Sequence, residues 1–280
     1  MGIIRTHCAL ILDKSGSMGG IKDSALNNFN EQIQTLKTES NSPDAIAKKM
    51  LISGGNPTGV ETYVTLVAFN DNVEFLNFDQ NINDIEEFPA EKYAPNGSTA
   101  LFDAIGMTID RFTSEIQGLD DPDTGMLFII ITDGQENASK SWGQEDGRKK
   151  LKSRIEELQN SKKWTFTFIG SEKVMETAVD HLGLYAGNTA SFAATAGGIR
   201  GASVQMSAGT RSYMSARMLH KTSIDSYYSG DDDATGPTVV PPVDPLTGID
   251  VAKIKLMEEA IKKSALKKQT TVSEEDKEEA

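Results

Sequence analysis

Near its start the chain reads Ile3-Ile4-Arg5-Thr6-His7-Cys8-Ala9-Leu10-Ile11-Leu12-Asp13-Lys14-Ser15-Gly16-Ser17: a nearly continuous apolar run that halts at an aspartate and enters a loop of hydroxyls and glycines. A run without polar alternation marks a strand covered on both faces, as in a parallel sheet. Met126 to Thr132 repeats the pattern and is again followed by an aspartate, Asp133. Between and beyond these runs, strand and helix patterns alternate. Leu26, Phe29, Ile33 and Leu36 give residues 20–38 one apolar helix face. Residues 61–69 form a strand, Asp71-Asn72 a turn, and Val73 to Phe78 a strand running back antiparallel. Helices follow at 100–117, 146–160, 172–182 and 194–221, with a strand from Trp164 to Ile169. The expected fold is a Rossmann-like, doubly wound α/β domain. Its sheet is mostly parallel with one antiparallel edge strand, and helices cover both faces. Such sheets bind ligands beyond the carboxyl ends of their strands, and both Asp13 and Asp133 fall at such an end.

The remaining sequence sets the boundaries. The chain has 280 residues with 25% charged, and no apolar run approaches the ~20 residues a membrane span needs. A net charge of −13 argues against a general grip on nucleic acid, which calls for a basic surface. The single cysteine, Cys8, excludes an internal disulfide and fits a reducing compartment; it reads as inert packing in a buried strand. Residues 8–12 are too short for a signal peptide. Met1-Gly2 through Thr6 matches a myristoylation pattern but serves better as the lead-in to the first strand. The expected location is therefore cytoplasmic. Residues 40–60 form a long Ser-, Asn-, Gly- and Pro-containing loop with a helical turn near Ala45 to Leu51. The domain is expected to span 1–228. An acidic, proline-rich linker would follow at 229–248, an amphipathic helix at 249–268 and a disordered acidic tail at 269–280.

The chemistry concentrates in Asp13-Lys14-Ser15-Gly16-Ser17. Alternate residues of an extended segment point one way, so one carboxylate and two hydroxyls can converge. Oxygen donors without nitrogen or sulfur suit a hard cation, Mg²⁺ or Mn²⁺. The competing reading is a strand-to-helix turn with a serine N-cap. Two further segments join the first: Gly97-Ser98-Thr99-Ala100-Leu101, opening a helix, and Ile131-Thr132-Asp133-Gly134, closing a buried strand.

Together these three segments resemble the metal-ion-dependent adhesion site of von Willebrand factor type A (VWA) domains, and the stretch 3–225 is similar to stand-alone bacterial and bacteriophage members. The resemblance implies that Ser15, Ser17 and Thr99 supply hydroxyl oxygens to the metal. It implies that Asp13 and Asp133 act through water and through hydrogen bonds to those hydroxyls. It further implies a partner protein presenting an Asp or Glu, as part of a larger assembly such as one containing a AAA+ ATPase. Thr99 retains the alternative of a plain helix N-cap. The expected role is a non-enzymatic, metal-dependent binding module. A structural or virion component with a loop-stabilising metal is the first alternative, and a metal-dependent hydrolase the second. For hydrolysis Glu136 is the one plausible base; His7 reads as a strand residue, His181 and His220 as helical and remote from the site.

Overall fold

The computed structural model describes residues 3–41, 59–193, 195–228 and the pair 238–239. The expected turn near Ala45 to Leu51, the terminal helix and the acidic tail lie outside them.

Eight strands form one sheet. They are β1 (Ile4–Asp13), β2 (Val60–Phe69), β3 (Val73–Phe75), β4 (Gln80–Asn81), β5 (Thr124–Thr132), β6 (Trp164–Ser171), β7 (Thr189–Phe192) and β8 (Thr238–Val239). Their order is β3-β2-β1-β5-β6-β7-β8, with β4 also on β2. Every neighbour pair from β2 to β8 is parallel. Only β3 and β4 run antiparallel, both along β2. The expected strand 73–78 thus ends at Phe75, and β4, beyond its expected end, forms a second antiparallel segment on β2. Asn77 stands between β3 and β4, accepting from the Leu66 amide at 2.5 Å and donating to the Val64 carbonyl at 3.2 Å, so a side chain replaces one rung of the ladder.

The helices are α1 (Lys22–Asn41), α2 (Leu101–Glu115), α3 (Glu145–Asn160) and α4 (Ala196–Met218). Strand alternation sorts the core into two layers. Cys8, Leu10 and Leu12 of β1 face α1 and α4 together with Leu127, Ile129 and Ile131 of β5. Ala9, Ile11, Met126, Phe128 and Ile130 face α2 and α3. Both central strands are therefore apolar on successive residues because each face is roofed by helices.

Other differences from the sequence reading are local. The expected helix 172–182 is a 3-10 turn at Glu172–Val174 followed by a π-helical stretch at Thr177–His181. β7 has only four residues, Thr-Ala-Ser-Phe, too short for a period to show, and the sequence reading passed over it. Helix α4 ends at Met218, so His220 is not helical; it sits just past the end in the left-handed region (φ 61°). Thr238–Val239, within the stretch read as linker, pairs with β7 at the sheet's edge.

β1 is the pivot. The chain leaves it through α1 to β2 on one side, then crosses by α2 to β5 on the other. Connections diverge at the carboxyl ends of β1 and β5 and leave a crevice there.

Candidate metal centre

Asp13 ends β1 with its side chain fully buried. Its Oδ1 accepts from the Ser15 amide and its Oδ2 from the Thr132 hydroxyl, each at 2.6 Å. Burial nonetheless dominates and lifts the Asp13 carboxyl from 3.8 to about 6; the hydrogen bonds from Thr132 and Ser15 pull the other way. The backbone is held by Tyr93, whose buried hydroxyl donates to the Asp13 carbonyl at 2.7 Å.

The serines are placed by a tight turn. A 3-10 helix at Gly16–Ile21 begins directly after Ser15, so Ser17 is not in extended chain. The turn, and not strand alternation, brings the Ser15 and Ser17 hydroxyls to 3.1 Å. Ser15 occupies the N-cap position but makes no side-chain cap bond, which leaves its hydroxyl available to the crevice. The turn is stitched to the loop before α2: the Gly16 amide donates to the Gly97 carbonyl at 3.0 Å and the Asn96 amide to the Lys14 carbonyl at 2.9 Å. Gly97 is required here. Its φ is 76°, and a β-carbon would come within 2.0 Å of Asp71 Oδ2.

Thr99 is 3% exposed and does not cap α2, since the N-cap position is Ala100, which has no capping side chain of its own. The loop after β5 supplies the caps. Glu136 accepts from the Phe102 amide at 2.9 Å, and Ser139 Oγ accepts from the Asp103 amide at 2.9 Å. Glu136 also accepts from the Ala138 and Ser139 amides and the Ser139 hydroxyl, so its carboxylate takes four hydrogen bonds. Asn137 Oδ1 accepts from the Thr99 amide at 2.9 Å. Asp103 accepts from the amides of Lys140, Ser141 and Trp142. These acids and amides lock the β5–α3 loop onto the first turn of α2. The sequence reading missed Asp103, Asn137, Thr132 and Tyr93, because each acts on chain positions far away in sequence.

Gly134 locates the point of convergence. A β-carbon there would lie 2.5 Å from Thr99 Oγ1, 2.9 Å from Asp13 Oδ2 and 3.0 Å from Ser15 Oγ. Three oxygens from two segments therefore surround a cradle that the third segment provides. Asp133 stands beside it, its acidity weakened chiefly by burial and partly restored by a hydrogen bond from Ser17. Its Oδ1 is buried without a hydrogen-bond partner. An orphaned carboxylate oxygen next to converging hydroxyls fits a small, hard cation. Among the described residues no three His, Cys, Asp or Glu side chains cluster for a metal, so hydroxyls have to share the work with the two carboxylates.

The histidines separate. His7 Nδ1 pairs with Asp79 at 2.6 Å, and His220 Nδ1 with Asp123 at 2.7 Å. His181, read as helical, ends the π-helical stretch and lines a groove that also holds Glu136.

A doubly wound sheet with an oxygen-lined crevice at its pivot is the arrangement the VWA resemblance implies. No family model matches the chain, and no curated protein matches it. Solved structures similar to it are VWA domains. A von Willebrand factor type A protein from Catenulispora acidiphila is 14% identical, with TM-score 0.43, over 77% of this chain and 43% of that one. BatB from Bacteroides thetaiotaomicron is 16% identical, with TM-score 0.38, over 59% of this chain and 66% of that one. Proximal thread matrix protein 1 from the mussel byssus, in a structure described as having a zinc-occupied MIDAS motif, is 19% identical, with TM-score 0.36, over 61% of this chain. This chain spans only 36% of that protein. At such identities and scores no residue role passes across, so the site is argued from its own geometry.

Proposed function

We propose that the chain is a divalent-metal-dependent protein-binding module that captures an Asp or Glu side chain of a partner and catalyses no reaction. The observation that carries this reading is the cradle at Gly134, with oxygens of Asp13, Ser15 and Thr99 around it and Asp133 Oδ1 left without a donor beside it. Ser15, Ser17 and Thr99 would hold Mg²⁺ or Mn²⁺ through neutral hydroxyls. Asp13 and Asp133 would orient those hydroxyls and carry the balancing charge. A cation held by neutral ligands keeps affinity for an external carboxylate, which is the chemistry the metal supplies. Asp13 reaches its neighbours through Ser15 and Thr132 from the end of a rigid central strand, so the donor set needs little reorganisation on loading.

The non-enzymatic part is supported by Glu136. Its two oxygens are occupied by four donors within the fold, which leaves it poorly placed to accept a proton from water. The carrier of this function would be residues 1–228, in a cytoplasmic, bacterial or phage setting as an adaptor or assembly component. Among the described residues no helix is long and apolar enough to cross a membrane.

Calorimetric titration with Mn²⁺ tests the reading. The wild type should bind one ion, and bind a Gly-Gly-Asp-Gly-Gly peptide only when that ion is present. Asp13→Ala and Asp133→Ala should fold and lose both. Equal Mn²⁺ and peptide binding by both variants would overturn it.

A further inference from the structure

A groove of about 240 Å³ opens beside the metal centre, lined by Phe102 and Glu136 on one side and by Arg148, Lys173 and Glu176 on the other. It is formed in part by the loop that leaves the metal centre: Gln135 and Glu136 follow Asp133 and Gly134, and Gln135 Nε2 donates to the Lys173 carbonyl at 3.3 Å. Lys173 is close enough to act electrostatically on Asp133. Arg148 and Lys173 are exposed, and among the described residues neither side chain has an ion-pair or hydrogen-bond partner.

Arg148 also begins a basic run. Arg148, Lys149, Lys150, Lys152 and Arg154 place five cations in seven residues of α3, in a chain whose net charge is −13. Some of these are engaged: Lys149 with Glu145, Arg154 with Asp110. Lys150, like Arg148, has no partner among the described residues and lies on a second shallow groove along the exposed face of α3 with Lys149 and Arg154. Residues two apart on a helix point to opposite sides, so Lys150 and its groove, which also holds Glu157, lie away from Arg148. Of this run only Arg148 lines the groove beside the metal centre.

Resting on the metal-capture reading above, we propose that the captured partner segment is an acidic run: one carboxylate goes to the metal centre, and its neighbours lie in the groove against Lys173 and Arg148. Exposed pairs are individually weak and salt-sensitive, so the gain comes from several carboxylates bound together. Glu136 directs its lone pairs to four donors within the fold, so it does not compete for the two cations by pairing with them. Glu136 and Glu176 are the opposing charges in the groove and temper the affinity.

Fluorescence anisotropy with two labelled peptides in saturating Mn²⁺ tests this: Gly-Gly-Asp-Gly-Gly, and Gly-Asp-Glu-Asp-Glu-Gly. The wild type should bind the acidic run at least tenfold more tightly. In Arg148→Gln/Lys173→Gln that preference should fall to about twofold, with the single-Asp peptide bound as before. Glu176→Gln should increase the preference, and Lys221→Gln, at the opposite end of the sheet, should leave it unchanged. Equal affinities in the wild type, or a preference that survives the double variant, would overturn the acidic-run proposal while leaving metal capture standing. Displacement of the peptide by a ten-residue oligothymidylate would overturn it in favour of a nucleic-acid surface. Failure of the wild type to bind either peptide in Mn²⁺ would defeat metal capture itself and the proposal with it.

Discussion

The two ends of the central sheet both bury charge, and they treat it in opposite ways. At the amino end, Arg217 of α4 is 0% exposed and, among the described residues, makes no ion pair, although the Asp123 carboxylate is near enough to act on it electrostatically. It is satisfied by oxygens of the fold: Thr6 Oγ1 at 3.1 Å, the Arg5 and Lys221 carbonyls at 2.9 Å each, and the Asp123 carbonyl. Gly125 leaves room for it, since a β-carbon there would sit 3.0 Å from the guanidinium carbon. At the carboxyl end, Asp13 is equally buried but takes two short hydrogen bonds against a larger desolvation cost, and Asp133 keeps an oxygen with no donor. One end is closed by the chain itself. The other leaves a carboxylate oxygen without a donor, the place the proposed cation would fill. Incompleteness in a rigid frame distinguishes a binding site from a structural polar cluster.

The comparison breaks most visibly at Arg217. Arg217→Met keeps the stem's volume and leaves the Arg5, Asp123 and Lys221 carbonyls without their donor. We expect a loss of about 3–5 kcal/mol in urea unfolding. Mn²⁺ affinity of the fraction that remains folded should be unchanged. A loss below about 1 kcal/mol would mean that the amino end is not closed by this residue.

The next effect is pH-dependent. The folded chain raises the Asp13 carboxyl from 3.8 to about 6, so it holds a proton where the unfolded chain has released it. Stability from this group is complete below about pH 4 and lost as pH rises through about 6, by about 3 kcal/mol in total. In EDTA, wild-type unfolding free energy should fall relative to Asp13→Asn between pH 4.5 and pH 7. Mn²⁺ should close that gap at pH 7 and bind less tightly at pH 5, where the proton competes. Parallel pH curves for the two proteins would remove the desolvation argument.

How much of this was legible depends on the kind of signal. Strands β1 and β5 announced themselves as apolar runs ending in aspartate, and the crevice followed from where two such strands end. Asp13, Ser15, Ser17, Thr99 and Asp133 come from three short segments, and the fold brings those segments to one place. What the sequence reading misjudged was the device: a 3-10 turn, not extended chain, gathers the serines. What it missed were the supports. The sequence reading passes over Asp103 and treats Glu136 only as a candidate base, yet both hold amides 30 or more positions away, and spacing encodes nothing of that. Asn77 hid β4 for the same reason, by standing in for backbone.

Those supports provide a smaller, separable effect. Asp103→Asn keeps one acceptor oxygen for the amides of Lys140, Ser141 and Trp142. We expect a loss of about 1–2 kcal/mol and a Mn²⁺ affinity weakened less than tenfold, because the loop loosens while every donor to the metal remains. A complete loss of metal binding here would make Asp103 part of the site itself.

The smallest stability effect should accompany the largest functional one. Asp133→Asn removes a charge that the fold does not satisfy: Oδ1 has no donor, and burial already weakens the acid. The amide is nearly isosteric and gains nothing it must bury uncompensated beside three hydroxyls. Unfolding free energy in EDTA at pH 7 should stay within about 0.5 kcal/mol of wild type or rise slightly. Mn²⁺ binding should be lost. If the variant instead unfolds more easily in EDTA, Asp133 is held by the chain as Arg217 is, and the carboxyl end is not open in the sense argued here. If stability holds and metal binding goes, the negative charge at that end serves the ligand and not the fold.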